Sequence, residues 1–322
     1  MSAVTIVGAG AFGTALAISL AGRGGQVNLW GRDADAIGNM RMSRQNARYL
    51  PEIDFPELLK LSANSSSIAE AEIILLAVPT QYLRDFITSY AELLNGKTCV
   101  VCCKGIEKTT SMLPSEIVKD LLPNAKVAVL TGPGFAAEIA RGLPTALTLA
   151  TDMQDGSALQ SRMSTRNLRL YLSADPVGAQ LGGALKNVIA IACGIAIGAG
   201  LGESARAALM TRGYAEMMRL AVDMGADPNT LCGLSGLGDL ALTCGSDQSR
   251  NFSLGLRLGQ GKEPLVGATF EGVATARATV GLAAKRNIEM PIAGIVAAVL
   301  AGELTINQAS EALLSRPLRD EN

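Results

Sequence analysis

The chain of 322 residues contains no histidine. That absence excludes imidazole acid/base catalysis, the serine and cysteine triads that depend on it, and His-ligated metal sites. Any proton carrier must be Lys, Asp, Glu, Tyr or Cys. Charge of one sign is also missing: 28 basic and 29 acidic side chains leave a formal net charge of −1. No run of Lys or Arg could neutralise a phosphate backbone, so nucleic acid is not an expected partner. Six cysteines, in a chain that opens on a strand-like sequence rather than a charged n-region, indicate neither a secretory signal nor a disulfide framework. The expectation is reduced thiols in the cytoplasm. Cys99-Val-Val-Cys102 has the spacing of a metal or redox motif, but residues 98–103 read as a buried strand, which would turn the two thiols to opposite sides. Long hydrophobic runs are lacking too. The longest, 188–202, is shorter than the roughly 18 to 20 residues of a membrane span, so a packed Gly/Ala-rich helix is expected and no integral membrane segment.

What is present is length and glycine. At about 150 residues per domain the chain suggests two domains, each able to bury a core. Thirty-five glycines raise the apolar share from 48% to about 59%, above the usual 45 to 50% and far from the composition of a disordered chain. Short β-rich runs at 4–7, 26–30, 73–78, 99–103, 127–131 and 168–172 alternate with helical patterns. This predicts a Rossmann-like, doubly wound parallel α/β sheet over residues 1–175. Beyond Asp175-Pro176 long Ala/Leu/Met stretches of helical period predict an all-α domain over 176–322.

The first strand runs into Gly8-Ala9-Gly10-Ala11-Phe12-Gly13 and then a helical stretch, the dinucleotide fingerprint in its required context. The alternative is a tight turn that uses glycine only for packing. The second strand ends Leu29-Trp30-Gly31-Arg32, where NAD-preferring chains place an acid for the ribose hydroxyls. Arg32 can instead pair with a 2′-phosphate, so NADP is favoured over NAD, with Asp33 as the competing group and an ordinary solvated Arg32 as the plain alternative.

Parallel sheets carry function at their carboxyl ends. Lys104 directly follows the fourth run, at the lip of that crevice, and the turn from Gly132 through Gly134 to Phe135 offers backbone N–H groups. Lys186 is the only charged residue between Asp175 and Glu203. Such a lysine loses solvation, which favours its neutral form and fits a general acid/base, unless it is a snorkelling lysine on a buried helix. Gly233 to Gly238 is a glycine-rich approach to Asp239. Ser249-Arg250-Asn251 opens a helix and reads either as a phosphate receptor or as a capped helix with a surface arginine.

Together these segments resemble the bacterial NAD(P)-dependent glycerol-3-phosphate dehydrogenase family over nearly the whole chain. The carrying stretches are GAGAFGTALA, RYLP, KGIEK, TGPGFAAEIARGLPTA, GALKNVIAIACGIAIGAGLGESARAALMTRG and GLGDLALTCGSDQSRNFSLG. The resemblance implies reversible reduction of dihydroxyacetone phosphate to sn-glycerol 3-phosphate, a phospholipid head-group precursor, by a cytoplasmic, commonly dimeric enzyme that needs no metal. It implies Lys186 as proton acceptor, Lys104 touching cofactor and substrate, and Asp239 near the substrate hydroxyls. It places substrate on Gly132, Gly134, Ser249, Arg250 and Asn251, and cofactor on Lys104, Ala136, Arg250 and Glu271, beside the Gly8, Gly10, Ala11, Phe12, Gly13 and Arg32 that the fingerprint and the second strand's end already offer it. The chain departs where relatives often carry Ser-Trp or Ser-Phe (Ala11-Phe12), Ser or Thr (Gly134), His (Arg44 and Gln81) and Asp (Ile197). These changes bear on affinity and cofactor choice rather than on the reaction. Two competing readings remain: another lysine-dependent two-domain enzyme of the hydroxyacid or ketopantoate type, which would need a carboxylate receptor in place of Ser249-Arg250-Asn251, and a non-enzymatic NADP-binding sensor.

Overall fold

The computed structural model describes residues 3–263 and 270–314. Ten strands form: β1 (Val4–Val7), β2 (Val27–Trp30), β3 (Gln45–Asn46), β4 (Leu50–Asp54), β5 (Leu59–Ser62), β6 (Ile73–Leu76), β7 (Thr98–Val101), β8 (Lys126–Thr131), β9 (Thr145–Ala150) and β10 (Leu168–Ser173). Eight of them build one sheet in the order β10-β9-β8-β7-β6-β1-β2-β5, and β3 pairs with β4 apart from it. Every pairing in the large sheet is parallel except β8 with β9. The six expected strands are all present. The sequence reading missed β5 and β9 in the sheet and the β3/β4 pair; the doubly wound parallel sheet it predicted is present, with β8/β9 as the one antiparallel pairing in it. Strand β9 is Thr-Ala-Leu-Thr-Leu-Ala, whose apolar alternation rests on Leu147 and Leu149 alone, with threonine and alanine between and around them.

The strands are buried apolar runs because helices cover both faces of the sheet. Cys99 packs with Trp30, Phe86 and Ile87 on one side, while Cys102 packs with Leu16, Leu75 and Leu130 on the other. All six thiols are free, and among the described residues no cluster of acids and thiols could hold a metal.

Beyond β10 the described residues form helices. Asp175 caps the first, Pro176–Gly198, by accepting from the Gly178 N–H at 2.8 Å. This central helix is longer than the run that announced it: 23 residues, with an 18-residue window that would pass for a membrane span by length and composition. That window is 89% buried inside the protein, so the helix is the core of the helical region. Around it pack Gly202–Asp223, Arg250–Gly259, Glu271–Lys285 and Pro291–Leu300. Buried Glu216 accepts from the N–H groups of Ile292 (2.8 Å) and Ala293 (3.3 Å), capping the last of these from another helix.

Glycine explains how close the packing is. A Cβ on Gly194 or Gly198 would overlap the carbonyl oxygens of Phe252 and Leu256, and one on Gly255 or Gly259 would overlap those of Ile191 and Ile195. Two i, i+4 glycine pairs therefore face each other and bring the backbones together. The close approach fixes the Arg250–Gly259 helix against the helix that carries Lys186. Gly255→Ala should cost about 1 to 3 kcal/mol through overpacking and lower the unfolding midpoint by several degrees. Gly281→Ala, on an open helix surface with nothing within 4 Å, should leave it unchanged or raise it. Equal midpoints for the two variants would contradict this packing.

Candidate active site

The parallel register puts the ends of β1, β6, β7 and β8 side by side, so residues 8–13, 77–82, 104–108 and 132–136 share one edge. Each glycine of the first loop has a distinct reason. Gly8 has φ +112°, and a Cβ there would come within 2.8 Å of the Ala77 backbone; a Cβ on Gly13 would overlap the Gly8 carbonyl. Those two are explained by the protein's own packing. Gly10 is not: nothing lies within 4 Å of where its Cβ would sit. It is the N-cap of the Ala11–Ala21 helix, with no side-chain cap and no acid in the first turn. Open space in front of uncapped N–H groups fits a pyrophosphate, and with it the NAD or NADP expected here. Ala11 and Phe12 form the first turn. Buried Asn46, which the sequence reading passed over, braces the loop by donating to the Ala9 carbonyl at 3.0 Å and to Thr14 Oγ1 at 2.8 Å.

At the end of β2, Arg32 is exposed and stands 5.9 Å from the Tyr82 ring centroid. Asp33 caps the next helix, accepting from the Ala36 N–H at 3.0 Å. Asp33 is thus engaged in the helix cap, while the exposed Arg32 guanidinium lies over the Tyr82 ring. Arg44 and Gln81, at positions where relatives often carry His, do structural work. The Arg44 guanidinium donates to the carbonyls of Phe55, Pro56 and Leu59. Gln81 donates to the Ile106 carbonyl at 2.8 Å and accepts from the Lys108 N–H at 3.1 Å, tying down the loop after Lys104.

The centre of the site is a carboxylate held between two ammonium groups. Lys104 Nζ donates to Asp239 Oδ2 at 2.7 Å and to the Gly132 carbonyl at 3.1 Å, with the Phe12 ring centroid 5.6 Å away. Lys186 Nζ donates to Asp239 Oδ1 and, at 2.8 Å, to Thr243 Oγ1. The Thr243 hydroxyl in turn lies 3.4 Å from Asp239 Oδ1. Only 1% of Asp239 and 7% of Lys186 is exposed. Burial pushes the Lys186 ammonium down to about 8; Asp239 opposes the shift and Lys104 reinforces it. Lys186 is therefore no snorkelling lysine: it faces inward, and its ammonium gives up its proton far more readily than an ordinary lysine.

Local structure explains how Asp239 arrives there. Leu234–Gly238 winds as a π-turn into the Asp239–Cys244 helix. A Cβ on Gly236 would overlap the Leu231 carbonyl, and one on Gly182 of the central helix would overlap that of Ser235. Thr243 lies four residues beyond Asp239, on the same helix face, a spacing that could have flagged it in the sequence.

Glu271 begins the Glu271–Lys285 helix and reaches across to the sheet edge, accepting from the Thr80 N–H at 3.3 Å and the Lys104 N–H at 3.2 Å. Burial pushes its carboxyl up against the pull of these donors and of nearby Arg250. Ala136 opens a short helix just past the turn from Gly132 to Phe135. Gly134 is confined, since a Cβ there would come within 3.0 Å of Thr145. Ser249 caps the Arg250–Gly259 helix, its oxygen accepting from the Phe252 N–H at 3.2 Å, and Arg250 is exposed at the first position. The side chain of Asn251, the third residue expected on the substrate, donates to Asn187 Oδ1 at 2.9 Å and accepts from the Gly272 N–H at 3.2 Å. Its first-turn N–H has no intrahelical acceptor and can also be offered to an anion.

Comparison with known proteins agrees with this geometry. Residues 3–157 match the model for the NAD-dependent glycerol-3-phosphate dehydrogenase N-terminus and residues 175–311 the model for its C-terminus. The chain is 55% identical over 319 residues to a protein of Ruegeria sp. (strain TM1040), covering 99% of both chains, and 54% identical to one of Cereibacter sphaeroides, covering 99% and 100%. Both relatives are named glycerol-3-phosphate dehydrogenase (NAD(P)+). The crystal structure of glycerol-3-phosphate dehydrogenase from Coxiella burnetii superposes with a TM-score of 0.94 at 39% identity, over 98% of this chain and 99% of that one. With both halves of the chain matched and its length shared by relatives above half identity, this protein belongs to the NAD-dependent glycerol-3-phosphate dehydrogenase family.

Proposed function

We propose that the chain catalyses the reversible NAD(P)-dependent reduction of dihydroxyacetone phosphate to sn-glycerol 3-phosphate, with Lys186 as the proton carrier. The observation that supports it most directly is the buried Lys186–Asp239–Lys104 cluster at the mouth of a dinucleotide-shaped loop. Bound there, the reduced nicotinamide supplies the hydride that the C2 carbonyl needs. The chain's own residues do the rest. Lys186, as ammonium, gives its proton to the alkoxide oxygen formed at C2 and is left neutral; in the reverse direction the neutral amine takes that proton back. The cluster carries a net charge of +1 before proton transfer and none after it, so burial favours the transfer. Asp239 and Thr243 fix the direction of the Lys186 Nζ, and Lys104, anchored on the Gly132 carbonyl, adds positive charge where the oxyanion develops. Arg250, the Ser249 hydroxyl proton and the first-turn N–H groups of the Arg250–Gly259 helix receive the phosphate, so that remote binding energy orients the carbonyl. This anion receptor also favours a phosphorylated ketone over the carboxylated substrates of a hydroxyacid or ketopantoate-type enzyme. A sensor would have no use for the two lysines on one buried carboxylate.

The exposed Arg32 guanidinium and the engaged Asp33 favour NADPH over NADH. The compartment expected from the resemblance is the cytoplasm, which fits six free thiols, and the expected assembly is a homodimer that supplies phospholipid head groups.

NADPH oxidation on addition of dihydroxyacetone phosphate tests the activity. Lys186→Ala should lose several orders of magnitude in turnover while keeping NADPH affinity; turnover near wild type would rule out its role. With Lys186 titrating at about 8, the reduction needs the protonated form and kcat/KM for the ketone should fall as pH rises through 8. Oxidation of glycerol 3-phosphate needs the neutral form and should rise over the same interval. Parallel profiles in the two directions would contradict the assignment. Comparing kcat/KM for the two cofactors should show NADPH ahead, and Arg32→Ala should erase that lead; a large NADH preference in the wild type would refute it.

A further inference from the structure

The β3/β4 pair stands apart from the large sheet, and the segment that contains it carries one buried amide to the first glycine loop. Arg44 ends the Ala34–Ser43 helix in the left-handed conformation, with φ +55°. Residues 45–54 then run out and back, and the base of this excursion is closed twice. The Phe55 N–H donates to the Arg44 carbonyl at 2.8 Å, and the Arg44 guanidinium donates to the carbonyls of Phe55, Pro56 and Leu59. Leu50, Ile53 and Phe55 join the core that holds Leu16 and against which Ala9 and Phe12 pack. The bracket so formed holds Asn46, 1% exposed, with its Nδ2 donating to the Ala9 carbonyl at 3.0 Å and to Thr14 Oγ1 at 2.8 Å. The Oδ1 of the same amide is buried with no hydrogen-bond partner among the described residues. Toward the protein, Asn46 works through its donors.

Ala9 and Gly10 share one peptide plane. The peptide bonds of the described residues are trans, and in a trans peptide the N–H points opposite the carbonyl. With the Ala9 carbonyl held on Asn46, the Gly10 N–H therefore points away from Asn46, and it makes no hydrogen bond among the described residues. Beside it nothing lies within 4 Å of where a Gly10 Cβ would sit.

We infer that Asn46 is a positioning residue for the cofactor: by holding the Ala9 carbonyl it aims the Gly10 N–H at the pyrophosphate. The inference rests on the dinucleotide reading of this loop given above. A peptide plane whose second residue is glycine turns at little cost, because glycine accepts either sign of φ. Asn46 removes that freedom before the cofactor arrives, so binding does not have to supply the ordering. The bond from such an N–H to a phosphate oxygen is charge-assisted, and losing its aim weakens the dinucleotide about tenfold or more.

The test uses the full chain, whose single tryptophan, Trp30, ends β2. Quenching of its emission by NADPH or NADH measures binding without turnover. The wild type is compared with Asn46→Ala and with Asn46→Asp, which keeps the shape and puts an acceptor where the donor was. Both variants should bind NADPH and NADH about tenfold or more weakly. The KM for NADPH should rise by a like factor, while kcat at saturating NADPH and the KM for dihydroxyacetone phosphate stay within about twofold. A brace that only keeps the protein folded would do the reverse, lowering kcat and the unfolding midpoint and leaving the cofactor's KM in place. That pattern, or wild-type affinity for NADPH in both variants, overturns the inference. Should neither variant fold, Asn46→Ser, which draws the donor back from Ala9, carries the same comparison. A wild type that binds neither dinucleotide overturns the reading of the loop, and the inference with it. One that binds them but does not reduce the ketone overturns the activity alone, and the quenching comparison still decides on Asn46.

Discussion

The structure depends on one buried carboxylate shared by two lysines. Asp239 is 1% exposed, and each of its oxygens accepts from a different ammonium group, Lys186 on one side and Lys104 on the other. Burying an unpaired charge costs several kcal/mol, and one partner at 4 Å returns about 4 kcal/mol at the effective dielectric of a protein near its surface. A single lysine would leave Asp239 near balance. Two over-compensate it and leave a cluster of net charge +1 that is eased by losing a proton. Burial of the cluster, held in check by Asp239 and reinforced by Lys104, lets a lysine work nearer neutral pH in a chain without histidine.

Much of the architecture serves to bring the three groups together. Lys104 follows β7 at the carboxyl edge of the sheet, Lys186 lies in the middle of a helix buried on all sides, and Asp239 comes off a π-turn pressed against that helix at Gly182. The facing glycine pairs, Gly194/Gly198 and Gly255/Gly259, let the phosphate-receiving helix approach backbone to backbone. Glu271 and the Asn187–Asn251 pair fasten the helical region to the loops after β6 and β7. The glycine excess is thus concentrated where two backbones, or a backbone and a ligand, must come close.

The sequence carried the outline of this site clearly and its wiring poorly. Gly8, Gly10 and Gly13 were legible because their spacing is dictated by a turn, and Lys186 because a lone charge in an apolar helix is conspicuous. Most of the strands that announced the sheet were buried runs of large apolar residues, whereas β5 and β9 interleave their leucines with Lys, Ser, Thr or Ala, so their apolar signal was diluted. Asn46 and Thr243 were missed because small polar residues take their meaning from long-range partners. The side-chain partner of Asn251 was missed for a related reason: nothing local reveals that its amide reaches a helix 64 residues earlier in the chain.

The central claim is that burial, moderated by Asp239 and sharpened by Lys104, sets the charge of Lys186. Following the side-chain Cε resonances of 13C-labelled lysine across a pH titration measures this directly, with Lys186 assigned from the Lys186→Ala spectrum. The account predicts that Lys186 titrates near 8 in the wild type and lower still in Asp239→Asn, which removes the group that holds its charge. A midpoint near the ordinary 10.5 of lysine, or one that Asp239→Asn leaves in place, would contradict it.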